Sequence, residues 1–183
     1  MNIFYINEDP IIAARELADD HIRKMQIESA QMLSTAYRLS EGTPKIAPSR
    51  SGKRMIKQWI LDKSKEDIVY KVAHLNHPST VWARQSIQHY RWLVEHGLEI
   101  CDEFEKRYGK KHKTKDVLIW LKNNEPNIPD NGFVDPPQCI PDEFKEDNTL
   151  AAYKRFYILD KVKVKRLDWK KLNNKPSWVS QYV

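Results

Sequence analysis

Four polar side chains, His21, Lys24, Glu28 and Gln31, follow one another at spacings of three, four and three. On an α-helix that spacing stacks them along one face. The apolar residues Leu17, Ile22, Met25 and Met32 are interleaved with them, which puts the stripe at the edge of a core. Half-buried charged groups are costly unless paired, and such groups concentrate where proteins do chemistry. The chemistry of this stripe would be acid–base: Glu28 as a base or a stabiliser of positive charge, His21 and Lys24 as donors or phosphate ligands. The same spacing also describes a surface Lys24–Glu28 ion pair, which contributes little.

The elements that must carry the stripe follow from periodicity and punctuation. Asp9 and Pro10 give a capping side chain followed by proline at the first helical position. Apolar residues at three- and four-residue steps then predict one long helix to about Leu39, ending near Gly42 and Pro44. Residues 43–54 read as a basic loop, and MIKQWILDK, from Met55, as ambiguous with a short helix possible. Pro78 opens a second long helix to about Arg107, with Gly109 as its stop. A short helix follows with Thr114 as its cap. Residues 125–142 hold five prolines and a glycine and form a loop over the core. A last helix covers about 147–161, and an irregular tail closes the chain. No internal repeat occurs, and no alternation is long enough to build a sheet. The expected fold is all-α, a single domain over 1–183 with two long and two or three shorter helices.

Composition sets the class. A chain of 183 residues with 40% hydrophobic and 31% charged residues is expected to be globular, with one core. Cys101 and Cys139 sit in no metal-ligand or disulfide pattern, so neither a metal nor a disulfide framework is expected. The start, MNIFYINEDP, lacks the pattern of a signal peptide, and no apolar run approaches a membrane span. A cytoplasmic monomer without membrane contact is expected. The net charge of +6 is unevenly spread. Residues 43–57 carry Lys45, Arg50, Lys53, Arg54 and Lys57 with no acid. Residues 161–175 carry Lys161, Lys163, Lys165, Arg166, Lys170, Lys171 and Lys175 against Asp168 alone. Two such segments suit contacts to a phosphate backbone, and they equally suit solvated loops.

The run ELADDHIRKMQIE, residues 16–28, resembles the start of the phage pyrimidine-dimer DNA glycosylases. Glu16, Leu17, Ala18, Asp19, His21 and Glu28 match the positions of that family's motif. The resemblance implies that Glu28 is the catalytic glutamate and that His21 lies in a DNA-facing cleft. A second match lies in the tail, where Lys175, Pro176, Ser177 and Trp178 resemble the family's basic-Pro-hydroxyl-Trp segment. The family is all-α and cleaves an N-glycosidic bond in DNA, with strand breakage to follow. It uses its own α-amino group, here expected on Met1, to attack C1′ of the sugar and displace the base as an imine forms. An unperturbed α-amino group, with a pKa of about 7.7–8.0, keeps a useful unprotonated fraction. A carboxylate beside it stabilises positive charge on the sugar.

The resemblance implies double-stranded DNA as the partner, no cofactor, and a host-cell cytoplasmic setting if phage-encoded. Lys24, Arg50, Lys53, Arg54 and Arg84 would contact phosphates, and Trp178 would stack on a base. The departures are specific. Asn2 stands where the family exposes a small residue, the segment before the motif is longer, and Ile3 and Ile27 stand where basic residues are expected. Two alternatives stay open: a DNA-modification enzyme acting on a modified pyrimidine without excision, and a non-catalytic DNA-binding protein. Lys24, His74, His77, Arg84 and His112 could serve the former as anion ligands. Phosphate-loop, dinucleotide, zinc-protease and EF-hand motifs are absent.

Overall fold

The computed structural model describes residues 1–49 and 51–182. About half the chain is helical, and one small antiparallel sheet accompanies the helices. The helices are α1 (Pro10–Arg15), α2 (Asp19–Ile22), α3 (Met25–Glu41), α4 (Lys63–Glu66), α5 (Pro78–Ala83), α6 (Ile87–Tyr108), α7 (Thr114–Asn123) and α8 (Thr149–Phe156). The strands β1 (Thr43–Pro48) and β2 (Met55–Ile60) lie between α3 and α4. Helix α6 is the central post and packs against α1, α3, α5 and α7. Its contact with α3 is close: a Cβ on Gly97 would stand 3.1 Å from Cβ of Ser29.

The single long helix expected from Pro10 is instead three helices. Asp9 does cap it, its Oδ1 accepting from the backbone N–H groups of Ile11 and Ile12 at 2.8 and 3.0 Å. The chain then leaves the helix at Glu16–Ala18 and again at Arg23–Lys24. The first break exposes carbonyls that a continuous helix would have paired internally. Distant side chains take them instead. Arg107, fully buried, donates to the carbonyls of Arg15 (2.9 Å) and Leu17 (2.7 Å), and Trp169 Nε1 donates to that of Glu16 (2.9 Å). Arg107 also pairs with Asp19 and Glu103 at 3.1 and 3.0 Å. These partners lie 90 to 153 positions away, so local periodicity carries no trace of the interruption.

The second long helix is also interrupted, at residues 84–86. Ser86 restarts it by accepting from Gln88 N–H, and the proline-rich segment docks on the corner, with Ile87 N–H donating to the carbonyl of Pro129 at 3.0 Å. His89 bridges the same corner. Its Nδ1 lies 2.9 Å from the Trp82 carbonyl, and its Nε2 accepts from Val134 N–H. Residues 125–142 are thus irregular, as expected, but pinned. Thr114 is the first residue of α7 rather than its cap; His112 Nδ1 accepts its N–H at 3.2 Å. The last helix runs on from α8 into a π-helical turn, Tyr157–Val162.

The expected basic loop, with the ambiguous stretch after it, is a hairpin. β1 and β2 pair from Thr43↔Ile60 to Pro48↔Met55. The strands are short, basic and largely exposed, so the burial alternation that announces a strand is missing. A close approach at Gly42 makes the junction with α3, where a Cβ would lie 2.6 Å from the Arg38 carbonyl oxygen. Arg38 secures it. Its fully buried guanidinium donates to the carbonyls of Trp59 (2.9 Å), Tyr70 (2.6 Å) and Val69 (2.6 Å) and to Glu66 Oε2 (2.8 Å).

One hydrophobic cluster runs from the N-terminal residues Ile3–Ile6 through α3 and α6 to Tyr157, Trp169 and Val179. No described helix is long and apolar enough to cross a membrane. Removing the Arg107 head group while keeping its bulk, as in Arg107→Met, takes the buried cation from Asp19 and Glu103 and the donor from the Arg15 and Leu17 carbonyls. The two carboxylates then keep only Lys171 N–H and Lys106 as partners among the described residues. The expected loss is about 3–5 kcal/mol in urea-unfolding free energy. A loss below about 1 kcal/mol would show that the break in the first helix does not depend on Arg107.

Candidate active site

The chain begins inside the protein. Ile3, Phe4, Tyr5 and Ile6 are each at most 3% exposed, although they belong to no helix or strand. Asn2 shapes their entry: its Oδ1 accepts from Ile3 and Phe4 N–H at 2.7 and 3.1 Å, and its Nδ2 donates to the Cys139 carbonyl at 2.9 Å. Phe4 takes a left-handed backbone conformation, φ 54°, which costs a non-glycine residue about 1–2 kcal/mol. Stacking offsets that cost, for its ring lies 4.3 Å from His21 and edge-on to Tyr157. The Met1 side chain is buried, with Thr80 Oγ1 3.4 Å from its sulfur.

This anchoring puts the Met1 amino nitrogen 3.9 Å from Glu28 Oε2. The same oxygen accepts the backbone N–H of Asn2 at 3.0 Å. Lys24 Nζ stands 3.8 Å from the other oxygen, Oε1. Glu28 is half-buried in the first turn of α3, where the helix dipole favours a negative charge. An amine, a carboxylate and a second cation therefore share one partly shielded place. Such a set can attack an electrophilic carbon, receive the displaced proton and balance positive charge on a sugar.

His77 borders this place. It caps α5, its Nδ1 accepting from Ser79 N–H at 3.2 Å. Burial, the Met1 amino group and His74 push its pKa down, against the pull of Glu28. The imidazole is therefore neutral near pH 7, with its proton on Nε2. Together with Gln138, Cys139 and Lys145 it lines an open cleft of about 480 Å³.

The structure separates residues that the sequence put on one face. Because the helix is interrupted at Arg23–Lys24, His21 turns inward while Lys24 and Glu28 stay at the surface. His21 is 4% exposed, and its Nδ1 lies 2.7 Å from the Tyr157 hydroxyl, which also accepts Ala18 N–H at 2.9 Å. Burial, with Lys24 and Lys161 nearby, pushes its pKa down to about 3. His21 thus holds Phe4, and through it the N-terminal segment, and does not face a DNA cleft. Trp178 is likewise in the core, 7% exposed and edge-on to Tyr157. Arg84 donates to the carbonyls of Leu75 and Thr80 at 2.9 and 3.0 Å, which makes it a brace for α5. Lys53 and Arg54 are exposed near the hairpin tip. Arg50 lies outside the described residues.

Asn2 and Arg38 were not legible as site-building residues, and His77 was read only as a candidate anion ligand. For His77 a signal existed, since an Asn-His-Pro sequence marks a helix start, but nothing local ties that start to residue 1. No three His, Cys, Asp or Glu side chains converge as a metal-binding group among the described residues. Comparison with protein families, with curated proteins and with solved structures finds no match.

Of the three buried histidines, His21, His89 and His96, the first and last predict the largest pH response. His96, wholly buried with neither ring nitrogen paired among the described residues, also has its pKa pushed down to about 3 by burial. In the unfolded chain both histidines titrate near about 6.5. Below that pH the unfolded state takes up protons that the folded state refuses, so stability is full above about pH 6.5 and falls steadily toward pH 3. Urea midpoints should therefore drop between about pH 6.5 and 5, before ordinary carboxylates titrate. His96→Phe should flatten that slope. An unchanged slope would mean that His96 is not held neutral in the fold.

Proposed function

We propose that this protein processes bases in double-stranded DNA as an N-glycosylase with imine chemistry, of the pyrimidine-dimer glycosylase type. One observation carries the reading: the Met1 amino nitrogen stands 3.9 Å from a half-buried Glu28 carboxylate that is fixed by Asn2 N–H. The longer N-terminal segment does not prevent this approach, because the turn at Asn2–Phe4 and the buried run to Ile6 take up its length.

In the proposed reaction the neutral amine attacks C1′ of the sugar, and the C1′–N bond to the base breaks with its electron pair leaving on the base. Glu28 offsets the positive charge that develops on the sugar and accepts the proton shed by the amine. The C1′–O4′ bond then breaks with its electron pair going to O4′, which takes the proton held by Glu28, and the nitrogen lone pair forms the iminium. Loss of a C2′ proton and departure of the 3′ phosphate from it is the strand-breaking step. Lys24 neutralises phosphate at the rim, and the neutral His77 can offer its remaining N–H as a hydrogen bond to the leaving base. Cationic residues near the hairpin tip, Lys53 and Arg54, would lie along the backbone.

The test is borohydride trapping on duplex DNA that carries a site-specific cyclobutane pyrimidine dimer. Wild type should yield a covalent adduct whose mass maps to residue 1. Glu28→Gln should lower the trapping rate by at least a factor of about 100, in the range of general acid–base contributions. Adding one residue before Met1 should abolish trapping while leaving the fold intact. Tight binding without adduct or abasic product would overturn excision of that lesion and favour modification of a base that stays in the strand.

A further inference from the structure

A groove lined by neither Met1 nor Glu28 lies beneath the hairpin. It encloses about 770 Å³ between the β1–β2 ribbon, the segment 70–73 and one residue of α3, Gln31. Its functional lining is Gln31, Lys57, Gln58, Trp59, Tyr70 and Lys71; Lys71 is paired with Glu66 just outside it, which leaves Lys57 as the uncompensated cation among the described residues. Two aromatic rings, two amides and an unpaired ammonium group match the parts of a nucleotide. A base offers a π-face and a hydrogen-bonding edge, and its phosphate offers charge. Lys57 already lies over the Trp59 ring, 5.0 Å from its centre.

The ribbon above the groove points to the same partner. Residues 43–57 contain no acid, and Lys45, Lys53, Arg54 and Lys57 form no ion pair among the described residues. Ile46 and Met55, 66% and 62% exposed, stand among these unpaired cations. Unpaired cations around exposed apolar side chains mark a contact surface for a polyanion with apolar parts. Gln31 sits three residues after Glu28 on α3, and Glu28 itself is not part of the groove wall.

We propose that this groove binds one nucleotide of a DNA strand, with the base against Trp59 and Tyr70, its edge on Gln31 and Gln58, and phosphate on Lys57. The ribbon lies along the neighbouring phosphates. The proposal shares its DNA partner with the proposed function but needs none of the chemistry of Glu28.

The test measures anisotropy of labelled single-stranded and duplex oligonucleotides at several salt concentrations, beside titration with thymidine monophosphate and with anionic vesicles. Lys57→Glu, an exposed change that spares the fold, should weaken oligonucleotide binding about tenfold or more and reduce the salt slope by about one. Trp59→Leu should weaken it about tenfold, with circular dichroism checking the fold. Oligonucleotides should bind at least tenfold more tightly than the mononucleotide. Unchanged affinity in both groove variants would overturn the proposal. So would equal affinity for the mononucleotide, which marks a free-nucleotide site, or binding to vesicles but not to oligonucleotides. Loss of borohydride trapping with normal binding would bear only on Glu28, so the two proposals fail separately.

Discussion

Arg107 is the constraint on which the site geometry rests. A continuous helix from Pro10 to Glu41 would have its carbonyls paired internally and would carry His21, Lys24 and Glu28 on one face. By donating to the carbonyls of Arg15 and Leu17, Arg107 makes a break affordable in the interior, where an unpaired carbonyl costs about 1–3 kcal/mol. With that break and the next one at Arg23–Lys24, His21 enters the core and Glu28 remains at the rim beside Met1. Buried charge of this sort gains little over well-packed hydrophobic groups of equal size, but loss of one partner is costly. Arg107 therefore acts chiefly by fixing a conformation.

Arg38 does for the hairpin what Arg107 does for the first helices. Its guanidinium spans the carbonyls of Trp59, Val69 and Tyr70, which border or wall the groove, while Glu66 neutralises it and also accepts Leu61 N–H. Both arginines are 0% exposed in their side chains and sit where chain segments lack regular partners of their own. A planar fork of five donors suits this work better than a lysine would. The result is a scaffold whose irregular parts, the N-terminal run and the hairpin junction, are set by charge-assisted hydrogen bonds to helices.

Where local chemistry decided the outcome, it was legible in the sequence. Asp9 with Pro10, Pro78, Gly42 and Gly109 do bound helices, and the proline-rich stretch is irregular. The helical majority follows from the 3.6-residue apolar period. The interruptions were hidden because their compensating groups come from residues 107, 157 and 169. The hairpin was hidden because a ribbon exposed on most of its length has no buried face to impose alternation. At the site, Glu28 and Lys24 could be read from spacing, and Met1 only through the family resemblance. His21 was misplaced because spacing assumes an unbroken helix. Asn2, which aims the first residue, offered no signal, since its role depends on the Cys139 carbonyl 137 positions away.

The anchoring of residues 2–6 also orders events in time. During synthesis they emerge well before several of their partners: Trp92, whose ring centre lies 5.6 Å from that of Tyr5, then Cys139, whose carbonyl accepts from Asn2, and then Tyr157, whose ring meets Phe4 edge-on. Contacts so far apart in sequence are closed slowly, because loop entropy must be overcome before they are made. A nascent chain can form α3 and even α6 while its N-terminal segment remains unplaced. Glu28 therefore meets the amine among the last events of folding, when the chain beyond residue 157 has emerged and the interior can close around Phe4.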